Sequence, residues 1–131
     1  MALVKPETKI LIVDDEAWER QYFQQALERL GYSKIEVESN GITCVEKARN
    51  YMPHLILLDT NLPGQMGYEA CRQIRAEPWG TQMAILGMSS SPFAGSEWQD
   101  TGSDSFVHKD IFSRDHSALG TKIQKALGKY F

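Results

Sequence analysis

Five polar side chains that together could bind a cation and an anion stand beside short apolar segments of the sequence. Asp14 and Asp15 follow one segment directly, and Asp59 follows a second. Ser89 stands at the end of a third segment, and Lys109 comes just after a fourth. Neighbouring carboxylates repel one another, and more strongly where water is partly excluded. The adjacent aspartates therefore predict a cation close by.

The carboxylates have the chemistry of a magnesium site that contains a nucleophile. Mg²⁺ prefers oxygen ligands and keeps several of its waters, so two or three carboxylates and a backbone carbonyl are enough to bind it. Once the metal offsets the negative charge, Asp59 could attack phosphorus and form an aspartyl phosphate. Cationic and hydrogen-bonding groups stabilise a transferred phosphoryl group, and this is the role expected for Lys109 and Ser89.

The segments that precede these side chains have the pattern of buried strands. Three of them, at 9–13, 55–58 and 83–88, are apolar almost throughout, which is typical of strands buried on both faces of a parallel sheet. Two weaker strands are predicted at 34–38 and 105–108. Ligand sites form beyond the carboxyl ends of such strands, so the five side chains should meet at one edge of the sheet.

Apolar residues spaced three and four apart predict helices between the strands. Pro92 and Gly95 stand where the fourth helix should begin, so that helix is expected to be short or irregular. The alternation of strands and helices predicts an α/β fold, a doubly wound five-stranded parallel sheet with helices on both faces. The other predicted helices are 17–30, one that opens at Asn40 and is ended by Pro53, 66–75 and 114–127.

The aromatic residues are assigned from the same helical spacing and from the turns. Trp18, Tyr22 and Phe23 lie within the first predicted helix and are expected mainly in the core. Trp79 and Trp98 fall near turns, where an exposed ring could contact a partner protein.

The composition is that of an ordinary globular domain. The 131 residues are 42% hydrophobic and 24% charged, which fits one domain with a buried core. The net charge of -3 provides no basic field, so direct binding of nucleic acid by this domain is not expected. Cys44 and Cys71 lack metal-site or CxxC spacing and are predicted to be reduced packing residues. No apolar run approaches the roughly 18 to 20 residues of a membrane helix, so we expect a cytoplasmic protein that does not contact membranes.

Four motifs in this order and at these intervals resemble the receiver domain of two-component response regulators. The resemblance covers about residues 8–127 and implies the flavodoxin-like receiver fold. The segments 1–7 and 128–131 are then terminal extensions, and we expect them to be frayed. The motifs are Val-Asp-Asp-Glu at 13–16, Leu-Leu-Asp-Thr-Asn-Leu-Pro-Gly-Gln-Met-Gly at 57–67, Gly-Met-Ser-Ser at 87–90, and Gly-Ser-Asp-Ser-Phe-Val-His-Lys at 102–109.

The resemblance implies a phosphoacceptor in a two-component or phosphorelay system rather than an enzyme. Asp59 would accept a phosphoryl group from a histidine kinase or a phosphotransfer protein. Only self-phosphorylation from a phosphodonor and slow self-dephosphorylation are then expected. Mg²⁺ would be held by Asp14, Asp15, Asp59 and the backbone carbonyl of Asn61.

The resemblance also implies a switch that responds to phosphorylation. Ser89 would move toward the phosphoryl group and Lys109 would pair with it, while the ring of Phe106 would change its rotamer. The altered surface would bind a downstream protein of unknown identity or a second copy of the chain. Asp110 stands where the family usually has proline, which brings an extra negative charge near the site.

Two alternative functions remain open. The altered loops around Pro92 and Asp110 favour a receiver-like interaction module that works without phosphorylation. The strand-end Asp59 is also compatible with the nucleophile of a Mg²⁺-dependent phosphohydrolase. Haloacid dehalogenase-like phosphohydrolases place a second aspartate two residues later as a general acid, whereas Asn61 stands here and cannot transfer a proton in that way.

Overall fold

The computed structural model describes residues 4–91, 94–113 and 116–131. Within these segments five strands and four α-helices are found, and none of the helices is long and apolar enough to cross a membrane. The predicted helix start at Arg114 and the Pro92 position lie outside the described residues. The elements are β1 (Lys9–Val13), α1 (Ala17–Arg29), β2 (Lys34–Glu38), α2 (Thr43–Tyr51), β3 (Leu55–Asp59), α3 (Gly67–Ala76), β4 (Ala84–Ser89), β5 (Ser105–His108) and α4 (His116–Leu127).

The five strands form one parallel sheet in the order β2-β1-β3-β4-β5. The chain adds β2 on one side of β1 and then continues with β3 on the other side, so the strand order reverses at β1. In the register, Val13 lies beside Leu58 and Asp59 lies beside Met88. The residues that follow β1 and those that end β3 therefore meet at the same edge, beside the point of reversal where ligand sites form.

The sheet is covered on both faces, as the sequence predicted. Alternate residues of each central strand point to opposite faces. In β1, Ile10 and Ile12 pack in a core with α1 and α4, while Leu11 and Val13 pack in a second core with α2 and α3. All four side chains are fully buried, so β1 holds the residues at its end in a fixed position.

The fourth crossover is irregular, in agreement with the prediction. A 3₁₀ turn at Ala94–Trp98 takes the place of an α-helix. The prediction that Trp98 is an exposed partner contact is wrong, because only 3% of its surface is accessible. Its indole N–H donates to Thr60 Oγ1 at 2.9 Å, and its ring lies where a side chain on Gly87 would be. Trp98 therefore packs directly on β4 instead of extending into solvent.

The first helix buries fewer aromatic rings than predicted. Phe23 is buried against Phe112, with 4.1 Å between ring centroids, whereas Trp18 is 67% exposed and Tyr22 is 39% exposed. Trp18 lies five residues before Phe23, which at 3.6 residues per turn is about 140° around the helix. The buried stripe follows Phe23 and Leu27, so Trp18 and Tyr22 point to solvent.

The second helix begins later than its opening motif. The side-chain oxygen of Asn40 accepts hydrogen bonds from the backbone N–H groups of Ile42 and Thr43, at 2.7 and 3.2 Å. This interaction satisfies amide groups that no helical carbonyl reaches. The regular helix therefore starts at Thr43.

The residues at the C-terminus are packed rather than frayed. The hydroxyl of Tyr130 donates to Asp104 Oδ1 at 2.7 Å. The ring of Phe131 lies against His54, with 4.6 Å between centroids, and its backbone oxygen accepts from Lys5 Nζ at 3.1 Å. The expectation of a frayed C-terminal extension is therefore wrong, because these side chains find partners on the folded domain.

The cysteines are buried thiols. Cys44 in α2 and Cys71 in α3 are both free and inaccessible. Burial raises the pKa of the Cys44 thiol to about 12, which keeps it protonated and unreactive. Their role as packing residues is confirmed.

Candidate metal and phosphoacceptor site

Three carboxylates lie together beyond the ends of β1 and β3. Asp14 and Asp15 follow β1, and Asp59 is the last residue of β3, which is paired directly with β1. One oxygen from each carboxylate can be chosen so that all three lie within 4.8 Å of one another. Asp14 and Asp59 are buried and Asp15 is exposed. The cluster is thus anchored in the sheet and open to solvent on the Asp15 side.

Lys109 brings a positive charge into this cluster from the turn after β5. Its Nζ lies 2.9 Å from Asp14 Oδ2 and 3.1 Å from Asp59 Oδ2. A third carboxylate, that of Glu19 in the first turn of α1, lies 3.1 Å from the same nitrogen. Only 11% of the lysine side chain is accessible. A mostly buried ammonium with three N–H groups therefore faces three carboxylates.

The charge of Asp59 is held in balance by opposing interactions. Burial and the nearby charge of Asp14 raise the pKa of Asp59 from 3.8 to about 7, although Lys109 and the Thr60 N–H act in the other direction. Burial also opposes the charge on Lys109, but hydrogen bonds and charges from Asp14, Asp59 and Glu19 outweigh it and raise the pKa of the lysine. Lys109 therefore stays protonated, while Asp59 is close to the midpoint of its titration at neutral pH.

Backbone groups fix the orientation of the buried aspartates. Asp14 Oδ1 accepts from the Glu16 N–H at 2.9 Å, and Asp59 Oδ1 accepts from the Thr60 N–H at 2.9 Å. Arg20 binds the backbone carbonyl of Asp14 at 2.7 Å. Glu16 itself is the N-cap residue of α1 and its side chain is exposed. Its backbone, and not its carboxylate, therefore contributes to the site.

The second oxygen of Asp14 has capacity for a further ligand. Asp14 Oδ2 is fully buried and has the Lys109 ammonium as its ion-pair partner 2.9 Å away, and no other donor of the described residues reaches it. Buried carboxylate oxygens are normally well satisfied. An incompletely satisfied oxygen within a three-carboxylate cluster is what a hard cation such as Mg²⁺ would complete, and the donor set fits that ion.

Ser89 and Phe106 lie farther along the same edge of the sheet. Ser89 is the buried last residue of β4, the neighbour of β3, and its Oγ accepts from the Ser91 N–H at 2.9 Å. Phe106 lies in β5 beside Gly87 and is half-buried, with its ring centroid 6.4 Å from that of Trp98. Asn61 follows the end of β3 and is exposed. The switching and metal-binding roles of these residues stay predictions.

The turn after Lys109 accommodates Asp110 without proline. The peptide bond between Lys109 and Asp110 is trans, and a 3₁₀ turn covers Lys109–Ser113. The Asp110 backbone N–H donates to His108 Nδ1 at 3.2 Å, and His108 Nε2 lies 2.8 Å from the Ser90 carbonyl oxygen. The Asp110 carboxylate lies 3.0 Å from His108 Nδ1. The additional negative charge is therefore directed at His108.

Sequence reasoning missed Glu19 and the contact between Trp98 and Thr60. Glu19 lies four residues after Asp15 at the start of a helix that begins beside the pocket, which brings it back toward the strand end. Its position in the first helical turn was the available signal. For Trp98 the available sequence feature was the pair Gly67 and Gly87, which leave room for its ring. A Cβ added at these positions would lie 3.3 and 2.6 Å from the indole.

Comparison with known proteins assigns the family. Residues 10–122 match the family model of the response regulator receiver domain. The chain is 38% identical over 109 residues to the transcriptional regulatory protein ResD of Bacillus subtilis, a match that covers 83% of this chain and 45% of ResD. The chain thus spans about half the length of the curated relatives that it matches.

Solved structures share the same fold. A protein from Chloroflexus aurantiacus described as a response regulator has a TM-score of 0.83 and 22% identity, over 95% of this chain and 99% of that one. The receiver domain of the histidine kinase PA1611 from Pseudomonas aeruginosa, solved with magnesium in its active-site cleft, has a TM-score of 0.80 and 25% identity over 92% and 98% of the two chains.

The sheet, the strand-end carboxylates and these matches define a receiver domain with the flavodoxin-like fold. The chain belongs to the response regulator receiver domain family. Such domains are signalling domains of two-component systems and not enzymes, and phosphorylation of an aspartate is typical of them. The phosphohydrolase alternative is therefore wrong. The family typically binds Mg²⁺ and interacts with histidine kinases or phosphotransfer proteins.

Proposed function

We propose that this domain is a phosphorylation-controlled switch in which Asp59 is the phosphoacceptor. The observation that carries the proposal is the geometry at the sheet edge. Carboxylate oxygens of Asp14, Asp15 and Asp59 lie within 4.8 Å of one another, and the Lys109 ammonium contacts two of these three residues. Such a site can hold a dianionic phosphoryl group only if further positive charge is present, which the metal would supply.

Mg²⁺ would be held by Asp14, Asp15, Asp59 and the backbone carbonyl of Asn61. The incompletely satisfied Oδ2 of Asp14 supports this assignment, as does the magnesium in the PA1611 receiver domain. When bound, the ion would offset the carboxylate charge and stabilise the phosphoryl oxygens. Because Asp15 is exposed, the ion could keep several of its waters.

Asp59 would act as the nucleophile. One of its carboxylate oxygens forms a bond to phosphorus while the bond from phosphorus to the donor breaks, and the leaving group departs with the bonding electron pair. The Thr60 N–H holds Oδ1, and Lys109 lies beside Oδ2. Lys109 would follow the negative charge from the carboxylate to the new phosphoryl oxygens.

Ser89 and Phe106 would report phosphorylation to the surface. Ser89 Oγ accepts from the Ser91 N–H, an interaction that does not use its hydroxyl proton, and this proton would be donated to a phosphoryl oxygen. Movement of Ser89 would allow the half-buried ring of Phe106 to change its position beside Trp98. We assign this switch to a cytoplasmic domain at 8–127, with a histidine kinase or a phosphotransfer protein as the donor. A downstream protein or a second copy of the chain would bind the changed surface.

A small phosphodonor provides the direct test. The protein is incubated with acetyl phosphate and Mg²⁺, and its intact mass is measured over time. We expect wild type to gain one phosphoryl group, and the gain to be lost with EDTA or in Asp59→Asn. Asp100→Asn is a matched control, because Asp100 is exposed and has the positive φ of 60° that asparagine also tolerates. Equal labelling of Asp59→Asn and wild type would overturn the assignment.

A further inference from the structure

Glu19 is a fourth carboxylate at the site and is separate from the metal-binding cluster. The three carboxylates that could share an ion are Asp14, Asp15 and Asp59, within the described part of the chain. Glu19 instead contacts Lys109, with 3.1 Å between Oε1 and Nζ. Only 15% of the Glu19 side chain is accessible, so its carboxylate lies against the lysine rather than extending into solvent.

A bound divalent cation would disturb the contacts of Lys109. The ammonium now shares Asp14 and Asp59 with the position that the cation would take. A cation on the same two carboxylates would draw their charge away from the lysine and would repel it, because like charges a few ångströms apart interact strongly where water is limited. Lys109 is mostly buried, so it needs another carboxylate to remain there.

We propose that Glu19 is the positioning residue that keeps Lys109 in the pocket when the aspartates bind a divalent cation. Glu19 then receives the ammonium that the cation displaces in part from Asp14 and Asp59. This inference rests on the proposed function, since it requires an ion on the three aspartates. It implies that Glu19 favours Mg²⁺ binding through Lys109, and not merely as one more negative charge near the site.

The test is Mg²⁺ affinity, measured by isothermal titration calorimetry on the full chain. Glu19→Gln keeps an oxygen within reach of Lys109 but removes the charge, and we expect it to raise the Kd for Mg²⁺ about three- to tenfold. Glu19→Asp keeps the charge but shortens the side chain, and we expect it to weaken Mg²⁺ binding as well. Glu28→Gln is the matched control, because Glu28 is an exposed acid on the same helix.

A double-mutant cycle tests whether Glu19 acts on Mg²⁺ binding through Lys109 or through its own charge. In the Lys109→Met background we expect Glu19→Gln to lose most of its effect on the Kd. An equal loss of affinity with and without Lys109 would overturn the inference, since it would show an effect of charge alone. A wild-type Kd in Glu19→Asp would contradict it as well, because that variant retains the charge but its shorter side chain no longer contacts Lys109.

Failure of this inference can be told from failure of the proposed function. If wild type binds Mg²⁺, Asp14→Asn abolishes binding, and Glu19→Gln leaves the Kd unchanged, then the role of Glu19 is overturned and the metal site stands. If wild type and Asp14→Asn show the same absence of Mg²⁺ binding, both proposals are overturned. Circular dichroism spectra matching that of wild type establish that each variant is folded.

Discussion

Asp59 carries a charge that the folded, metal-free domain accommodates poorly. The side chain is buried at the end of β3, close to Asp14. Burial first, and then the charge of Asp14, raises the pKa of Asp59 to about 7 despite the opposing effects of Lys109 and the Thr60 N–H. A site in which a bare carboxylate is unfavourable gains stability when a cation binds, and a dianionic acyl phosphate would need that cation even more.

Replacing this carboxyl should stabilise the metal-free protein in a pH-dependent way. Because the folded-state pKa is raised from 3.8 to about 7, the folded state binds more protons than the unfolded state between these values. Stability is therefore lost as the pH rises through this window. At about 1.4 kcal/mol per pKa unit, Asp59→Asn should be more stable than wild type by roughly 4 kcal/mol at a pH of about 8.

Urea unfolding in EDTA at a series of pH values would measure this difference in the free energy of unfolding. The advantage of Asp59→Asn should decline steadily as the pH falls toward 3.8 and should level off below that value, where aspartate becomes protonated in both states. The Asp100→Asn control should show no such trend. A constant difference between Asp59→Asn and wild type across the range would contradict the unfavourable ionisation of Asp59.

At the residue scale, the sequence predicted side chains whose position is set by strand ends. Asp14, Asp15 and Asp59 could be grouped because they directly follow buried apolar runs. Glu19 could not, because an acid in the first turn of a helix is usually a solvated partner of the helix dipole. Its contact with Lys109 depends on how α1 packs against the sheet, and a local sequence pattern does not predict that packing.

The central strands were the most predictable elements. A run that is apolar on both faces has few alternatives to a strand in a covered parallel sheet, and β3 and the part of β1 after Lys9 are buried. The structure extends β3 by one residue to Asp59 and shifts β4 by one residue to Ala84–Ser89, because the ladder continues into the site. The helical faces were less predictable, since spacing alone did not separate Trp18 from the stripe that contains Phe23.

The packing of Trp98 on β4 predicts a strong constraint at Gly87. A Cβ at this position would lie 2.6 Å from the indole ring, so Gly87→Ala should displace Trp98 and destabilise the domain by about 1 to 3 kcal/mol. Chemical unfolding gives the loss of stability, and tryptophan fluorescence reports the displaced ring. Gly95→Ala is the control, because among the described residues its Cβ would meet Phe106 alone, at an ordinary 3.7 Å. Equal stabilities of the two variants would contradict the close packing.

The molecule has one central sheet with a hydrophobic core on each face. The C-terminal residues pack against this folded domain. Asp104 accepts hydrogen bonds from Tyr130, from Arg75 on α3 and from the Ile85 N–H on β4. The overall topology was predictable because strands and helices alternate along the chain. The tail was not, since its partners are distant in sequence and its few residues have no periodicity.

At this scale the domain is proposed to change state through a phosphoryl group on a single aspartate. The matches to larger regulatory proteins cover about half of their length, so the receiver portion is the part that can be tested on this chain. Asp14, Asp15 and Asp59 are close together. A mass change alone therefore does not say which of them is modified.

The most direct measurement is identification of the modified residue. The protein is treated with acetyl phosphate and Mg²⁺ and then reduced with borohydride, which converts an aspartyl phosphate to homoserine, and the digested peptides are sequenced by mass spectrometry. We predict homoserine at Asp59 alone, and none when EDTA replaces Mg²⁺. Homoserine at Asp14 or Asp15 with Asp59 unchanged, or none at all, would contradict the account.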